Sequence, residues 1–309
     1  MALTLICPDK DPAPWIRALN DADPKLEIRV WPDDHPREEI ELALTWSHPW
    51  GCLTLYPNLG CISSMGAGVD HLLSDPDLPG DIPLVRIIDS GLVSDMAEYI
   101  LLAVLSHFRQ FDIYHNRQSH QDWHPLAPLD KKDFSIGIMG LGQLGRAAAQ
   151  QLISHGFSVT GWKNSSGTIP GIPSFYGKEQ LFEFLSQTRV LICLLPLTQA
   201  TCRILNSQTF SRLARESYLI NVGRGKHLDE NALIPALDRG LLSGACLDVF
   251  AKEPLEPGHP FWSHPKIKIT PHISSLTQPA SVAPQIIENL KRLRTGRPLL
   301  NLVDPQKGY

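Results

Sequence analysis

Residues 134–146 read FSIGIMGLGQLGR. The first five are too apolar, and alternate too little, for a strand with one face in water, so they predict a buried parallel strand that stops at Gly140. Gly140, Gly142 and Gly145 then fall in the spacing G-x-G-x-x-G. In that spacing the first glycine permits a tight turn, the second lets the backbone approach a pyrophosphate, and the third lets the next helix pack on the strand. Helix formers run on over 146–152. The turn therefore sits between a strand and a helix N-terminus, whose unpaired amides and positive dipole end attract an anion. With Gln143 and Leu144 between them, the three glycines are the expected seat of a dinucleotide; without that flanking context they would read as an ordinary turn.

Upstream, strand-like segments at 3–7, 26–30 and 40–46, with an amphipathic stretch at 15–19, have the βαβ rhythm of a small parallel α/β domain. A strand at 61–64 leads into Gly66-Ala67-Gly68-Val69-Asp70, a second glycine turn that is either plain or able to hold a small anion on its amides. A strand at 84–88 follows, then an apolar helix over 94–108 that bridges two domains. The polar, His- and Pro-rich segment 115–129 reads either as a surface loop or as an arm lying on another subunit.

Downstream, a strand at 158–162 ends near the point, about 20 residues past the glycines, where an acid usually takes the ribose hydroxyls of NAD. Lys163, Asn164, Ser165 and Ser166 stand there instead. A cation and two hydroxyls suit a 2′-phosphate, which points to NADPH, with NADH as the other option. Strands at 190–195, 219–222, 245–249 and 266–270 each run into a short loop. In an open α/β sheet ligands bind at such carboxyl ends. The last helix, 278–293, contains Pro284, which removes a hydrogen bond or forces a kink.

The 309 residues are enough for two domains. Apolar residues make up 43%, charged ones 19%, and the formal net charge is −4. No basic run marks a nucleic-acid surface, and no apolar run reads as long enough to span a membrane. The N-terminus lacks a leading cation and a long apolar stretch, so a cytoplasmic location is expected. Six scattered cysteines without a C-x-x-C pair read as buried thiols, not as bridges or metal ligands.

Reducing an acceptor that bears a carboxylate needs a fixed cation for that group, a proton donor at the carbonyl oxygen, and something to set the donor's protonation. Arg224, between two glycines at a strand end, can grip a carboxylate with its fork. His272 follows Pro271 at a strand end, and an imidazole is the side chain suited to hand over a proton near neutral pH. Glu253 can pair with that imidazole and hold its proton in place. Each alone would be an ordinary surface residue; together they are far more specific.

These residues lie in a set of motifs that resembles the D-isomer-specific 2-hydroxyacid dehydrogenases: the glycine turn, Asn221-Val222-Gly223-Arg224-Gly225, Leu247-Asp248-Val249-Phe250, Glu253-Pro254-Leu255 and Thr270-Pro271-His272. Gly66 to Asp70, Asp122-Trp123-His124-Pro125, Leu194-Leu195-Pro196 and the closing Gly308-Tyr309 extend the likeness over nearly the whole chain. The resemblance implies two Rossmann-like domains with parallel sheets. The dinucleotide-binding domain, 99–275, would be inserted into a smaller flavodoxin-like substrate domain, 1–98 completed by 276–309. It further implies that Arg224 binds the substrate, that Glu253 pairs with His272, and that His272 protonates the oxygen. Ala67 and Gly68 would take the carboxylate on their amides, with Trp46 and Trp123 as further substrate contacts. Gly140, Gly142, Gln143, Leu144, Gly145, Lys163, Ser165, Leu195, Pro196, Val222, Gly223 and Asp248 would line the cofactor.

The implied activity is NADPH-dependent reduction of glyoxylate and hydroxypyruvate by a homodimer whose 115–129 arm reaches the partner. Two departures stand out. Gly223 replaces the usual Ala or Ser, which predicts a looser loop at Arg224, and Asn164 and Ser166 replace arginines of close relatives, which predicts a weaker preference for NADPH. The alternatives are a dehydrogenase for another D-2-hydroxy acid and a dinucleotide-sensing binding protein of the corepressor kind, which would keep the same three residues.

Overall fold

The computed structural model describes residues 2–305, so the closing Gly308-Tyr309 motif lies outside the described residues. Packing divides the chain into two units, one running to Leu92 and resuming at Thr277, the other Val93–Leu276. The sequence reading put these boundaries at 98/99 and 275/276.

The first unit holds five parallel strands: β1 (Ala2–Ile6), β2 (Glu27–Val30), β3 (Ile40–Thr45), β4 (Cys61–Ser64) and β5 (Leu84–Val85). Their order, β2-β1-β3-β4-β5, is that of a flavodoxin-like sheet. The sheet has a core on each face: Leu3 and Leu5 of β1 pack with Trp15 and Leu19 of α1 (Ala13–Ala22), while Ala2 and Ile6 pack with Leu53 and Leu72. Double-sided burial is why β1 and β3 are mostly apolar, whereas β2, at the edge, keeps Glu27 and Arg29. A one-turn helix, α2 (Asp70–Leu73), follows the Gly66–Gly68 turn.

The unit boundary falls inside α3 (Ser90–Phe108), and α4 (Phe111–Ser119) continues from it. The second unit then alternates β6 (Ile136–Met139), α5 (Gln143–Ser154), β7 (Val159–Lys163), β8 (Ser174–Tyr176), α6 (Leu181–Ser186), β9 (Val190–Cys193), α7 (Ser207–Arg212), β10 (Ser217–Asn221), α8 (Glu230–Asp238), β11 (Leu242–Leu247) and β12 (Ile267–Ile269). The seven strands are parallel, in the order β12-β11-β10-β9-β6-β7-β8. This is a doubly wound sheet whose order reverses between β6 and β9, the crevice where such sheets take ligands. The chain returns to the first unit through α9 (Pro279–Arg294), which packs on α1.

Several expectations need correction. Phe134 precedes β6; its ring packs edge-on with Phe108 and tilted against Phe157 at the end of a short 3-10 turn, so its apolarity marked burial and not strand. The 84–88 run yields two strand residues, and β8 was not foreseen at all. By length and composition α3 is apolar enough to span a membrane, against the reading that no segment reaches that length; Met96, Ala97, Ile100 and Val104 bury one face of it in the second unit's core. Helix α9 runs through Pro284 without a break. Five cysteines are buried, but Cys202 is exposed.

The glycine turn shows why its residues are small. Gly140 has φ +101°, and a Cβ there would stand 2.6 Å from the Leu194 carbonyl oxygen. A Cβ on Gly145 would stand 1.9 Å from the Gly140 carbonyl oxygen, so α5 can seat on β6 only without it. Gly145→Ala should therefore destabilise the second unit by about 1–3 kcal/mol or more. Gly142→Ala, with nothing within 4 Å of its new methyl, should cost only the weaker N-cap of α5 and so lower the urea midpoint of unfolding much less; equal midpoints for the two variants would refute this account.

Candidate active site

The glycine turn opens at the C-terminal end of β6, beside the reversal in strand order. Arg146 Nε donates to the Leu141 carbonyl (3.0 Å) and holds the turn against α5. Gly142 has an ordinary φ of −71°, so conformation does not require glycine there. The open space at its missing Cβ, facing the first amides of α5, fits a bound diphosphate. Gln143 is exposed at the start of α5, whereas Leu144 leans on the core. Leu195 and Val222 are buried core side chains, which leaves only their backbone for a ligand. After β7, Lys163 Nζ donates to the Ser166 carbonyl (3.3 Å) across an exposed turn that includes Ser165. The cation expected to meet a 2′-phosphate thus closes its own turn.

Strand β10 delivers Arg224. Its amide donates to His227 Nδ1 (3.0 Å), and its carbonyl accepts from the His227 amide (3.1 Å) and from Asn221 Nδ2 (3.2 Å). One guanidinium nitrogen, Nη1, donates to the Gly223 carbonyl (2.8 Å). The looseness expected from Gly223 is absent, because the residue after it is tied at both its amide and its carbonyl.

The loops after strands β11 and β12 deliver Glu253 and His272. Glu253 Oε1 accepts from the Phe250 amide (2.9 Å), and Oε2 lies 2.7 Å from His272 Nδ1. Burial pushes the Glu253 carboxyl up, but the His272 hydrogen bond, the Phe250 amide and the nearby Arg224 guanidinium outweigh that and hold it below its ordinary 4.5. An ionised carboxylate only accepts, so Nδ1 of His272 is the donor and Nε2 is left for a ligand. His272 has φ +54°, a left-handed conformation uncommon outside glycine. Its amide is fixed to the carbonyls of Asp248 (2.9 Å) and Thr270 (3.0 Å).

Asp248, expected as a cofactor contact, is fully buried with its carboxylate turned inward. Oδ1 accepts from Thr270 Oγ1 (2.6 Å) and the Ile273 amide (2.9 Å), and Oδ2 accepts from the Ser274 amide (2.8 Å). Because Thr270 spends its proton on Asp248, the Tyr99 hydroxyl 2.5 Å away must donate to it. His227 was not singled out from sequence, and Asn221, Tyr99 and Thr270 were given no role there; each does its work through backbone or partly buried contacts. The signals were a polar residue ending an apolar strand (Asn221) and a histidine just after the arginine turn (His227).

In the first unit, Ser64 Oγ donates to the Gly68 carbonyl (2.8 Å) and accepts from the Gly66 amide (3.2 Å), which shapes the turn carrying Ala67. Trp46 lies beside it: a Cβ on Gly66 would stand 2.9 Å from the indole. Lys10 Nζ sits 4.2 Å from the centre of that ring. Trp123 is 96% exposed on the arm after α4, which folds back on itself through Tyr114 Oη, accepting from the Leu126 amide (2.8 Å), and Gln110 Nε2, donating to the Ala127 carbonyl (3.0 Å).

Residues 101–274 match the family model described as D-isomer specific 2-hydroxyacid dehydrogenase, NAD binding domain. The glyoxylate/hydroxypyruvate reductase A of Serratia proteamaculans is 42% identical over 302 residues, 96% of each chain. That of Photorhabdus laumondii is 40% identical over the full length of both. Among solved structures, a D-isomer specific 2-hydroxyacid dehydrogenase from Xanthobacter autotrophicus in complex with NADPH and MES superposes with TM-score 0.95, at 38% identity, over 100% of this chain and 99% of that one. The NADPH-dependent glyoxylate/hydroxypyruvate reductase of Sinorhizobium meliloti, with NADP and sulfate, gives TM-score 0.93 at 34% identity over the same shares. With its doubly wound sheet, its glycine turn and its Arg224, Glu253 and His272, the chain belongs to the D-isomer specific 2-hydroxyacid dehydrogenases.

Proposed function

We propose that this protein reduces glyoxylate to glycolate and hydroxypyruvate to D-glycerate, drawing on NADPH. The observation that carries the reading is the 2.7 Å contact between His272 and a Glu253 kept ionised within reach of Arg224's charge. The relatives named for this activity, and the neighbours holding NADPH or NADP, support it. Gly140, Gly142, Gln143 and Gly145 would cradle the diphosphate, with Lys163 and Ser165 at the ribose end and the backbone of Pro196, Val222 and Gly223 along the far side. NADPH supplies the hydride when bound.

The chain's own residues do the rest. Arg224 takes the oxo acid's carboxylate and carbonyl oxygen on its fork, polarising the carbonyl. Glu253 keeps the His272 ring in one orientation with Nδ1–H occupied, so the proton that reaches the new hydroxyl leaves from Nε2. Asp248 holds the loop from which His272 projects. In the first unit, the Ala67 and Gly68 amides and Trp46 are assigned to the carboxylate side of the substrate. The exposed Trp123 and Phe111 are assigned to a homodimer contact, to be checked by sedimentation.

His272→Ala should lower kcat by about 10²- to 10⁴-fold while NADPH still binds; a variant that keeps full rate removes His272 from the chemistry. With Lys163 engaged by the Ser166 carbonyl, kcat/KM should favour NADPH over NADH, by less than in relatives with arginines at this turn. A clear preference for NADH in a panel of 2-oxo acids would overturn the cofactor assignment. The lowered Glu253 pKa also has a sign: its stabilising contribution is complete above 4.5 and is lost as pH falls through the lower folded-state value. Glu253→Gln should therefore flatten the acid side of the stability curve below 4.5, and parallel wild-type and variant curves there would contradict it.

A further inference from the structure

Beneath Arg224 lies a side chain that the proton-transfer chemistry does not use. His227 is completely buried, and both of its ring nitrogens are engaged. Nδ1 accepts the Arg224 amide (3.0 Å), so in the neutral ring the proton sits on Nε2, which lies 3.3 Å from the Pro196 carbonyl and donates to it. Pro196 lies on the loop after β9 and Arg224 on the loop after β10, so the imidazole bridges two adjacent strand ends at the ligand-binding edge of the sheet. Thr201 Oγ1 donates to the same Pro196 carbonyl (2.7 Å), fixing the far end of the bridge.

The ring lies in the space that glycine leaves at 223. A Cβ on Gly223 would stand 3.0 Å from Nδ1 and 3.1 Å from Cε1, close enough to press on the imidazole. What looked in the sequence like a loosened loop is thus a loop filled by its own downstream histidine.

We propose that His227 is a positioning residue for oxo-acid binding: its Nδ1 acceptor fixes the Arg224 backbone and, through it, the direction of the guanidinium fork. The inference rests on the proposed role of Arg224 as the substrate's carboxylate ligand. Bidentate recognition depends on angle as well as distance. A small rotation of the Arg224 backbone therefore costs substrate affinity while the glycine turn of the cofactor cradle, on a different strand, is untouched.

Two conservative variants separate the two hydrogen bonds. In His227→Asn the amide oxygen reaches the place of Nδ1 and can still accept the Arg224 amide, while the link to Pro196 is lost. In His227→Gln the amide reaches the place of Nε2 and can still donate to Pro196, while the acceptor for Arg224 is lost. The full chain, each variant and Arg224→Ala are compared by KM for glyoxylate, KM for NADPH, calorimetric binding of oxalate to the NADP-loaded protein, and thermal unfolding.

The Asn variant should stay close to wild type. The Gln variant should show a KM for glyoxylate raised, and oxalate binding weakened, by about tenfold, the scale of one net hydrogen bond, with KM for NADPH raised far less. Gln added to Arg224→Ala should cause no further loss of oxalate binding. If Asn and Gln behave alike, or if KM for NADPH rises as much as that for glyoxylate, His227 is only a packing residue and the inference is overturned alone. If Arg224→Ala itself leaves glyoxylate and oxalate binding intact, the Arg224 assignment is overturned and the inference falls with it.

Discussion

A buried carboxylate met by neutral donors organises the edge of the second unit that carries Arg224, Glu253 and His272. Taking an ionised Asp out of water is costly unless its lone pairs are met by donors. Asp248 meets that condition with three, from Thr270, Ile273 and Ser274, while its own amide bonds the Asn221 carbonyl and its carbonyl accepts the His272 amide. One residue thereby connects the ends of β10, β11 and β12. The loop carrying His272 has little freedom to relax without stranding that charge, and this constraint allows His272 to hold a left-handed φ. Behind it, Tyr99 donates to Thr270, and burial pushes the Tyr99 hydroxyl pKa well up, so the relay ends in a neutral donor.

Around this hub, positioning and the proposed chemistry fall to different groups. Arg224, Glu253 and His272, the groups proposed to meet the substrate, keep part of their side chains in contact with solvent. Their backbones are held by residues that never see it: Asn221 and His227 under Arg224, Asp248 under His272. Glu253 bridges the two roles. One oxygen is spent on the Phe250 amide, which fixes the carboxylate, and the other on the imidazole it orients. Catalytic precision of this kind comes from the supporting layer, because a long side chain projecting from a mobile loop would spread its charge over many positions.

The distribution of legible and illegible features follows from the same division. Doubly buried strands were plain in the sequence because burial on both faces leaves no polar alternation, and the cofactor turn was plain because two independent sterics demand glycine at 140 and 145. Arg224, Glu253 and His272 could be picked out because charged groups at strand ends have few structural reasons to be there. Asp248 was also noticed, but its place under the His272 loop was not legible: its identity announces a carboxylate, whereas its hydrogen bonds depend on Thr270 and on two amides distant in sequence. Phe134 failed in the opposite sense. Apolarity reports burial, and a ring packed against Phe108 and Phe157 outside the sheet satisfies that as well as a strand does.

Glycine shows most sharply where reading residues singly stops. At 140 it answers a backbone angle, at 145 the approach of a helix, and at 142 neither, since a methyl there would meet nothing of the protein within 4 Å. At 223 the space that glycine leaves is filled from within the chain, by the His227 ring. A glycine in a sequence therefore states that a Cβ is missing, and only the neighbours tell whether the vacancy belongs to the backbone, to a packed element, to a ligand or to another side chain. For Gly223 the consequence is a reversal of sign: the residue that by conformational entropy should loosen the Arg224 loop creates the room in which an imidazole locks it.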